Sequence, residues 1–172
     1  MKILKCVLII LLFTCSINAM GQSSFDLFDQ NKISVGLSAK GGWNSTRAAG
    51  GVKVRGSYFI VKKLSLGLEF GYAQNGSFYR HFETVIPVRY NFINRKLSPF
   101  TELSFHHFNT RYEGPPGYKG TWHELRIGIG LSYAGALKNK IGFEFSIENK
   151  IFGNNPNSDV DLIFTPRITC TF

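Results

Sequence analysis

One short stretch contains the three kinds of polar side chain that hydrolysis by a catalytic serine needs. Glu102, Ser104 and His106 stand at every second position. Because residues two apart point to the same face of a strand, Ser104 and His106 would lie side by side if this stretch is extended. An activated serine needs a base within hydrogen-bond reach and a carboxylate behind that base. The alternative is that the histidines are interfacial aromatic residues with a polar tip: His81, His106, His107 and His123.

Other chemistry has little support in the sequence. There is no metal-ligand spacing and no nucleotide-binding loop, so we expect no metal and no cofactor. Of the three cysteines, Cys6 and Cys15 lie in the N-terminal segment described next. Once that segment is removed Cys170 stands alone, so we expect no intrachain disulfide.

The first 21 residues have the pattern of a secretory signal peptide. Lys2 and Lys5 precede an uncharged run over 6–13, and small and polar residues follow. The apolar core is about 8 to 12 residues long, whereas a membrane-spanning helix needs about 20. Cleavage fits after residue 19 or residue 21. Lipidation at Cys15 is a weaker alternative, because Thr14 stands where a small residue is preferred.

After residue 31, apolar residues alternate with polar or small ones, and this period of two predicts strands. The last segment is the clearest: every second residue from Val160 to Phe172 is apolar, and Ile163 is the one apolar residue between them. Pro87 and Pro166 each remove a backbone donor, so we expect β-bulges there. The fifth segment is the weakest, since Phe100 and Phe108 fall on its polar side. The eight segments are 33–43, 49–60, 64–72, 78–92, 100–110, 124–133, 141–151 and 160–172.

The connections between segments alternate in character. Those after the second, fourth and sixth segments are short and basic, whereas those after the others are richer in Gly, Pro and Asn, as at 112–121 and 153–159. This alternation predicts antiparallel strands in simple up-and-down order with two unlike rims.

With eight such segments and a terminal Phe172, the chain resembles the bacterial outer-membrane β-barrels of the OmpA and OmpX type. The resemblance implies an all-β fold: an eight-stranded antiparallel up-and-down transmembrane β-barrel over 32–172, after a signal peptide at 1–21 and a lead-in of no assigned role at 22–31. It implies short turns toward the periplasm and longer loops outward. It also implies an assembly signal at the C-terminus, read by the barrel-assembly machinery: Ile168, Cys170 and Phe172. The chain departs from the type in its shorter outer loops and its two strand prolines.

An eight-stranded barrel is just wide enough to be filled by its own side chains. The inward positions hold seven bases and seven acids, which we expect to pair across adjacent strands as an ion-pair core without an open pore. These residues are Lys40, Lys53, Arg55, Glu69, Glu83, Arg89, Glu102, Glu124, Arg126, Glu144, Glu148, Lys150, Asp161 and Arg167. Aromatic residues at the strand ends predict an interfacial girdle: Trp43, Tyr58, Tyr72, Tyr90, Tyr133 and Phe172.

We therefore expect a monomeric integral protein of a Gram-negative outer membrane, with a structural or surface-interaction role. Its expected partners are membrane lipid, the assembly machinery and an extracellular ligand held by loops 112–122 and 153–159. A formal net charge of +9 suits phosphate-bearing lipid better than nucleic acid in an exported chain.

Two alternatives stay open. One is a lipid A hydrolase, because some barrels of this kind carry His, Ser and Glu at the barrel surface. Their His-x-Ser motif is missing here, where the chain reads His-His-Phe from His106 and His-Phe-Asn from His107. The other is a soluble lipocalin-like barrel, which would carry its apolar face inward.

Overall fold

The computed structural model describes residues 28, 30–44, 47–75, 79–93, 95–114, 116–136, 141–153 and 162–172. The predicted signal peptide, Asp161 and all but the first residue of loop 153–159 lie outside these ranges. The described residues form eight strands: β1 Ile33–Asn44, β2 Arg47–Val61, β3 Leu64–Asn75, β4 Tyr79–Asn91, β5 Leu97–Tyr112, β6 Tyr118–Ala136, β7 Ile141–Gly153 and β8 Leu162–Thr171. They include no helix long and apolar enough to cross a membrane.

Each strand pairs antiparallel with its neighbours in the chain, and β8 returns to pair with β1. The seam runs from Ser34 opposite Thr171 to Trp43 opposite Leu162. Just beyond it, the amide of Phe172 donates to the carbonyl of Ile33 at 2.8 Å. The predicted all-β, eight-stranded, up-and-down closed barrel is confirmed. The short turn at 62–63 is tight enough to hold Lys63 at a positive φ of 71°.

The predicted loop 112–122 is wrong in extent. β5 continues to Tyr112 and β6 starts at Tyr118, and the pairing Thr110↔Gly120, Arg111↔Lys119, Tyr112↔Tyr118 extends the ladder to the end of both strands. Gly and Pro in this stretch suggested a long loop, but the turn itself needs only residues 113–117. The remainder of the stretch is sheet.

The predicted bulges at the two prolines are also wrong. In the β3–β4 ladder, no pair is formed between Leu66↔Val88 and Glu69↔Val85, where Pro87 lies, and the register is the same on both sides of this gap. Gly67 makes room for the proline ring, since a Cβ there would lie 3.0 Å from Cγ of Pro87. The β1–β8 ladder passes Pro166 in the same way, from Ser38↔Arg167 to Gly41↔Phe164. A missing N–H leaves a gap on one side of the strand, and no inserted residue is needed to accommodate it.

The two faces of the wall have opposite chemistry. Apolar side chains such as Leu37 and Phe70 point outward with more than half of their surface exposed, while Lys53 and Glu69 point inward and are only 2% and 3% exposed. Phe59, Phe100 and Ile163 are apolar exceptions inside. Phe100 lies under the guanidinium of Arg89, 3.8 Å from ring centroid to Cζ, so it fills space beside a charge that it also stabilises.

Phe28, in the lead-in, closes the barrel at the end where the short turns lie. Its ring is buried against that of Phe59 at a centroid distance of 5.7 Å. The amide of Lys63 donates to its carbonyl at 2.7 Å. The lead-in therefore contributes a cap to the interior, a role that its polar composition did not indicate.

Candidate functional site in the barrel interior

Charged side chains from six strands meet inside the barrel in one continuous network. It runs from β5 to β4, β2, β3, β8 and β7, then returns through β4 to β5 and ends on β2. In order of contact, its members are His106, Glu83, Lys53, Glu69, Arg167, Glu144, Arg89, Glu102 and Arg55. Apart from the histidine, four acids face four bases, so the network is balanced.

Glu102 is the central residue in the half of the network that lies nearest the short turns. Arg55 donates to both of its oxygens, at 3.0 and 2.7 Å, and Arg89 donates to it through Nε at 2.8 Å. Arg89 also reaches Glu144 through Nη1 at 2.7 Å. Forked, charge-assisted bonds of this kind are the strong ones. One carboxylate thus holds two buried cations.

The network continues across the barrel through Arg167 and Lys53. Arg167 donates to Glu144 at 3.1 Å and to Glu69 at 2.7 Å. Lys53 donates to Glu69 at 2.8 Å, and its Nζ lies 3.1 Å from Glu83. We expected pairs across adjacent strands, and that expectation is only partly right. Arg167 and Glu69 stand on β8 and β3, so several pairs cross the lumen, because the lumen is as narrow as the side chains are long.

Ser104, His106 and Glu83 stand at the spacing of a nucleophile, a base and an orienting acid. Ser104 Oγ lies 2.7 Å from Nε2 of His106, and Nδ1 of His106 lies 2.5 Å from Oε1 of Glu83. A tautomer with the proton on Nδ1 donates to Glu83 and accepts from Ser104. Ser104 and His106 are each 1% exposed. The three groups are therefore packed in the interior and shielded from solvent.

The other predicted interior residues lie as follows. Glu124 and Arg126 form a buried pair within β6, with Nε of Arg126 2.8 Å from the carboxylate. Glu148 is buried, its Oε2 3.7 Å from Nε2 of His106. Lys150 is half-buried on β7 opposite Arg126. Lys40 lies on β1, but its side chain is outside the described part of the structure, as is the whole of Asp161.

The predicted girdle and assembly residues lie on the outer face. Tyr58, Tyr90, Tyr133 and Phe172 are exposed near the rim of short turns. Tyr72 lies toward the other rim, its ring 5.1 Å from that of Phe82. The side chain of Trp43 is outside the described part. Ile168 and Cys170 point outward beside Phe172. Position alone does not establish a role in assembly, which stays a prediction.

Sequence reasoning missed the partner of His106. We looked for a carboxylate in the same strand and considered Glu102, whereas the structure brings Glu83 from β4. In the β4–β5 register Glu83 stands opposite Phe108, two residues along the same face from His106. A confident register for that pair of strands would have revealed it. The missed signal was therefore strand pairing and not residue type.

Comparisons with known proteins show the fold. No protein-family model matches the chain, and no curated protein matches it. Among solved structures, the N-terminal β-barrel domain of Pseudomonas aeruginosa OprF matches with a TM-score of 0.64 at 18% identity, over 83% of this chain and 98% of that one. Neisserial surface protein A matches with a TM-score of 0.57 at 10% identity, over 82% and 96%. Ail of Yersinia pestis, in a phospholipid bilayer nanodisc, matches with a TM-score of 0.55 at 13% identity, over 83% and 100%. Together with the topology, these likenesses show that the chain has the fold of the eight-stranded outer-membrane barrels.

Proposed function

We propose that this protein is an integral outer-membrane barrel with a structural or surface-interaction role and a closed interior. The observation that carries the proposal is the polarity of the wall. An outward band of Leu, Ile, Val and Phe surrounds an interior of paired charges, which is what hydrocarbon outside and a packed polar core inside require. A soluble lipocalin-like barrel needs the reverse arrangement.

Membrane fractionation and gel migration test this proposal. The processed protein is expected in the outer-membrane fraction, resistant to carbonate extraction. Unboiled samples are expected to migrate differently from boiled ones, because a closed ladder of backbone hydrogen bonds resists detergent until it is heated. Recovery as a soluble periplasmic monomer that needs no detergent would contradict the proposal.

The barrel should conduct few ions. Its interior charges are tied to one another across the lumen, and Phe28 covers the end near the short turns. Planar-bilayer recordings on the purified protein should therefore show rare, small openings. The Phe28→Ala variant should behave similarly, because the charge network remains in place beyond the cap. A steady, large conductance in the unaltered protein would show that the interior is wet.

A lipid-modifying enzyme is the second candidate, and the contact of Ser104 with His106 and Glu83 is the observation that favours it. Burial of both Ser104 and His106 opposes it. We expect no reaction of the folded protein with a serine-directed fluorophosphonate, and Ser104→Ala should leave fatty-acid release from lipid A at the background level. Ser65→Ala is the matched control, since Ser65 is equally buried on the inner face of β3. Release that depends on Ser104 but not on Ser65 would establish the enzyme.

A further inference from the structure

Three cations stand at one level on the outer wall, near the rim of longer loops. Arg80 of β4 lies directly opposite Arg111 of β5, which lies directly opposite Lys119 of β6. All three side chains are exposed. We call Arg80, Arg111 and Lys119 the cationic row.

The cationic row is short of negative charge. Like charges directly opposite one another on neighbouring strands are destabilising. Glu113 lies 3.7 Å from Arg80 and 3.3 Å from Arg111, so one carboxylate serves two guanidinium groups. Among the described residues, no carboxylate comes within ion-pair distance of Lys119. An additional anion at this place would relieve the repulsion.

The position of the cationic row on the wall indicates which kind of anion would bind there. Phe82, which points outward two residues after Arg80 on β4, is 64% exposed and contacts the ring of Tyr72. Below it the outward face of β4 carries Ile86, Val88 and Tyr90, with Thr84 as the one polar residue between Phe82 and Tyr90. Aromatic residues at the end of an apolar band mark the boundary of the hydrocarbon layer. Next to them, His107 and His123 approach to 3.3 Å between Nδ1 atoms. The cationic row therefore lies at the depth of lipid headgroups.

We propose that the cationic row binds the phosphate of an anionic lipid in the outer leaflet, whose acyl chains lie on the apolar wall below Phe82. The inference rests on the proposed insertion in the outer membrane. Two guanidinium forks suit a phosphate, since each can donate two parallel hydrogen bonds to its oxygens, and the ammonium of Lys119 adds a third charge. Glu113 then acts as the competing internal anion.

Retention of lipid by the purified barrel tests the proposal. The protein is reconstituted in phosphatidylcholine nanodiscs that contain a few per cent of either bisphosphorylated lipid A or its dephosphorylated form. Lipid that remains bound after release into neutral detergent is measured by native mass spectrometry. We expect retention of the phosphorylated form only. Substitution of all three row residues by Gln should weaken it by about fivefold for each cation, hence about 100-fold in total.

Two further variants separate this result from a folding defect. Lys62→Gln, Arg95→Gln and Lys96→Gln together remove the same charge at the opposite rim and should leave retention unchanged. Glu113→Gln removes the competing carboxylate and should strengthen retention by about fivefold. Heat-modifiable migration of every variant shows that insertion, and with it the proposed function, is intact.

Three outcomes would overturn the proposal. The first is equal retention of lipid A by the unaltered protein and the row variant. The second is equal retention of the phosphorylated and dephosphorylated lipids. The third is displacement of the lipid by millimolar inorganic phosphate, which would show a site for small soluble anions and not for a headgroup.

Discussion

Changing Glu102 to Gln should lower the free energy of unfolding by about 3 to 5 kcal/mol, the cost typical of removing one partner from a buried ion pair. Glu102 accepts from Arg55 through two bonds and from Arg89 through a third. The amide keeps the shape of the carboxylate but cancels its charge, so two buried guanidinium groups lose their shared counterion. Unfolding in urea, followed by tryptophan fluorescence in detergent micelles, measures the effect.

The chain contains a matched control for this change. Glu113 also serves two arginines, Arg80 and Arg111, but at the exposed rim and at longer distances. Glu113→Gln should therefore change the free energy of unfolding by no more than about 1 kcal/mol. If both variants lose the same stability, the interior network is no more important than a surface pair, and water reaches it freely.

Changing Phe172 to Ala should leave the precursor exported but poorly inserted, with most of the chain lost from the outer membrane. The ring of Phe172 points outward, while its backbone exchanges hydrogen bonds with Ile33 at 2.8 and 3.2 Å and so closes the sheet. The alanine variant keeps these bonds and loses only the ring, so folding into detergent should survive. Quantitative blotting of outer-membrane fractions, together with refolding of purified protein, separates the two effects.

Phe143→Ala is the control for the loss of an exposed ring, because Phe143 points outward from the neighbouring strand β7 near the same rim. We expect near-normal insertion for this variant. Deleting Phe172 altogether should impair folding in detergent as well, since the two backbone bonds are then lost. Normal outer-membrane levels of Phe172→Ala would show that the assembly machinery does not read this ring.

The eight strands and their faces could be predicted because the chemistry of the two sides of the wall alternates with the geometry of an extended chain. Outward Val, Leu and Phe alternate with inward charge or glycine along most of the barrel, and this period is visible without any knowledge of neighbours. Where the pattern failed, as at Phe100, packing had overridden it: the ring fills the interior beside Arg89. The lead-in residue Phe28 was missed for a similar reason, since a single buried ring outside the strands is not part of any alternating pattern.

The partners within the site could not be predicted. Arg55 and Glu102 are separated by 47 residues, and Arg167 and Glu69 by 98. Which charge meets which depends on the stagger between strands and on the reach of side chains across the lumen, and a balanced composition is compatible with many pairings. The spacing of Ser104 and His106 suggested contact correctly, because both lie on one strand. The position of Glu83 required the register of a second strand.

Pairing across the lumen also has a consequence for the order in which the barrel forms. Arg167 belongs to the last strand, yet it neutralises Glu69 on the third strand and Glu144 on the seventh. Until the ends of the sheet meet, both carboxylates lack the cation that they share and keep one partner each, Lys53 for Glu69 and Arg89 for Glu144. An open sheet presents this incompletely neutralised network to its surroundings. A half-formed sheet is therefore poorly suited to hydrocarbon, while the closed one hides every member of the network. Closure and entry into the bilayer should accordingly be a single cooperative event, slow because its decisive contacts join distant parts of the chain.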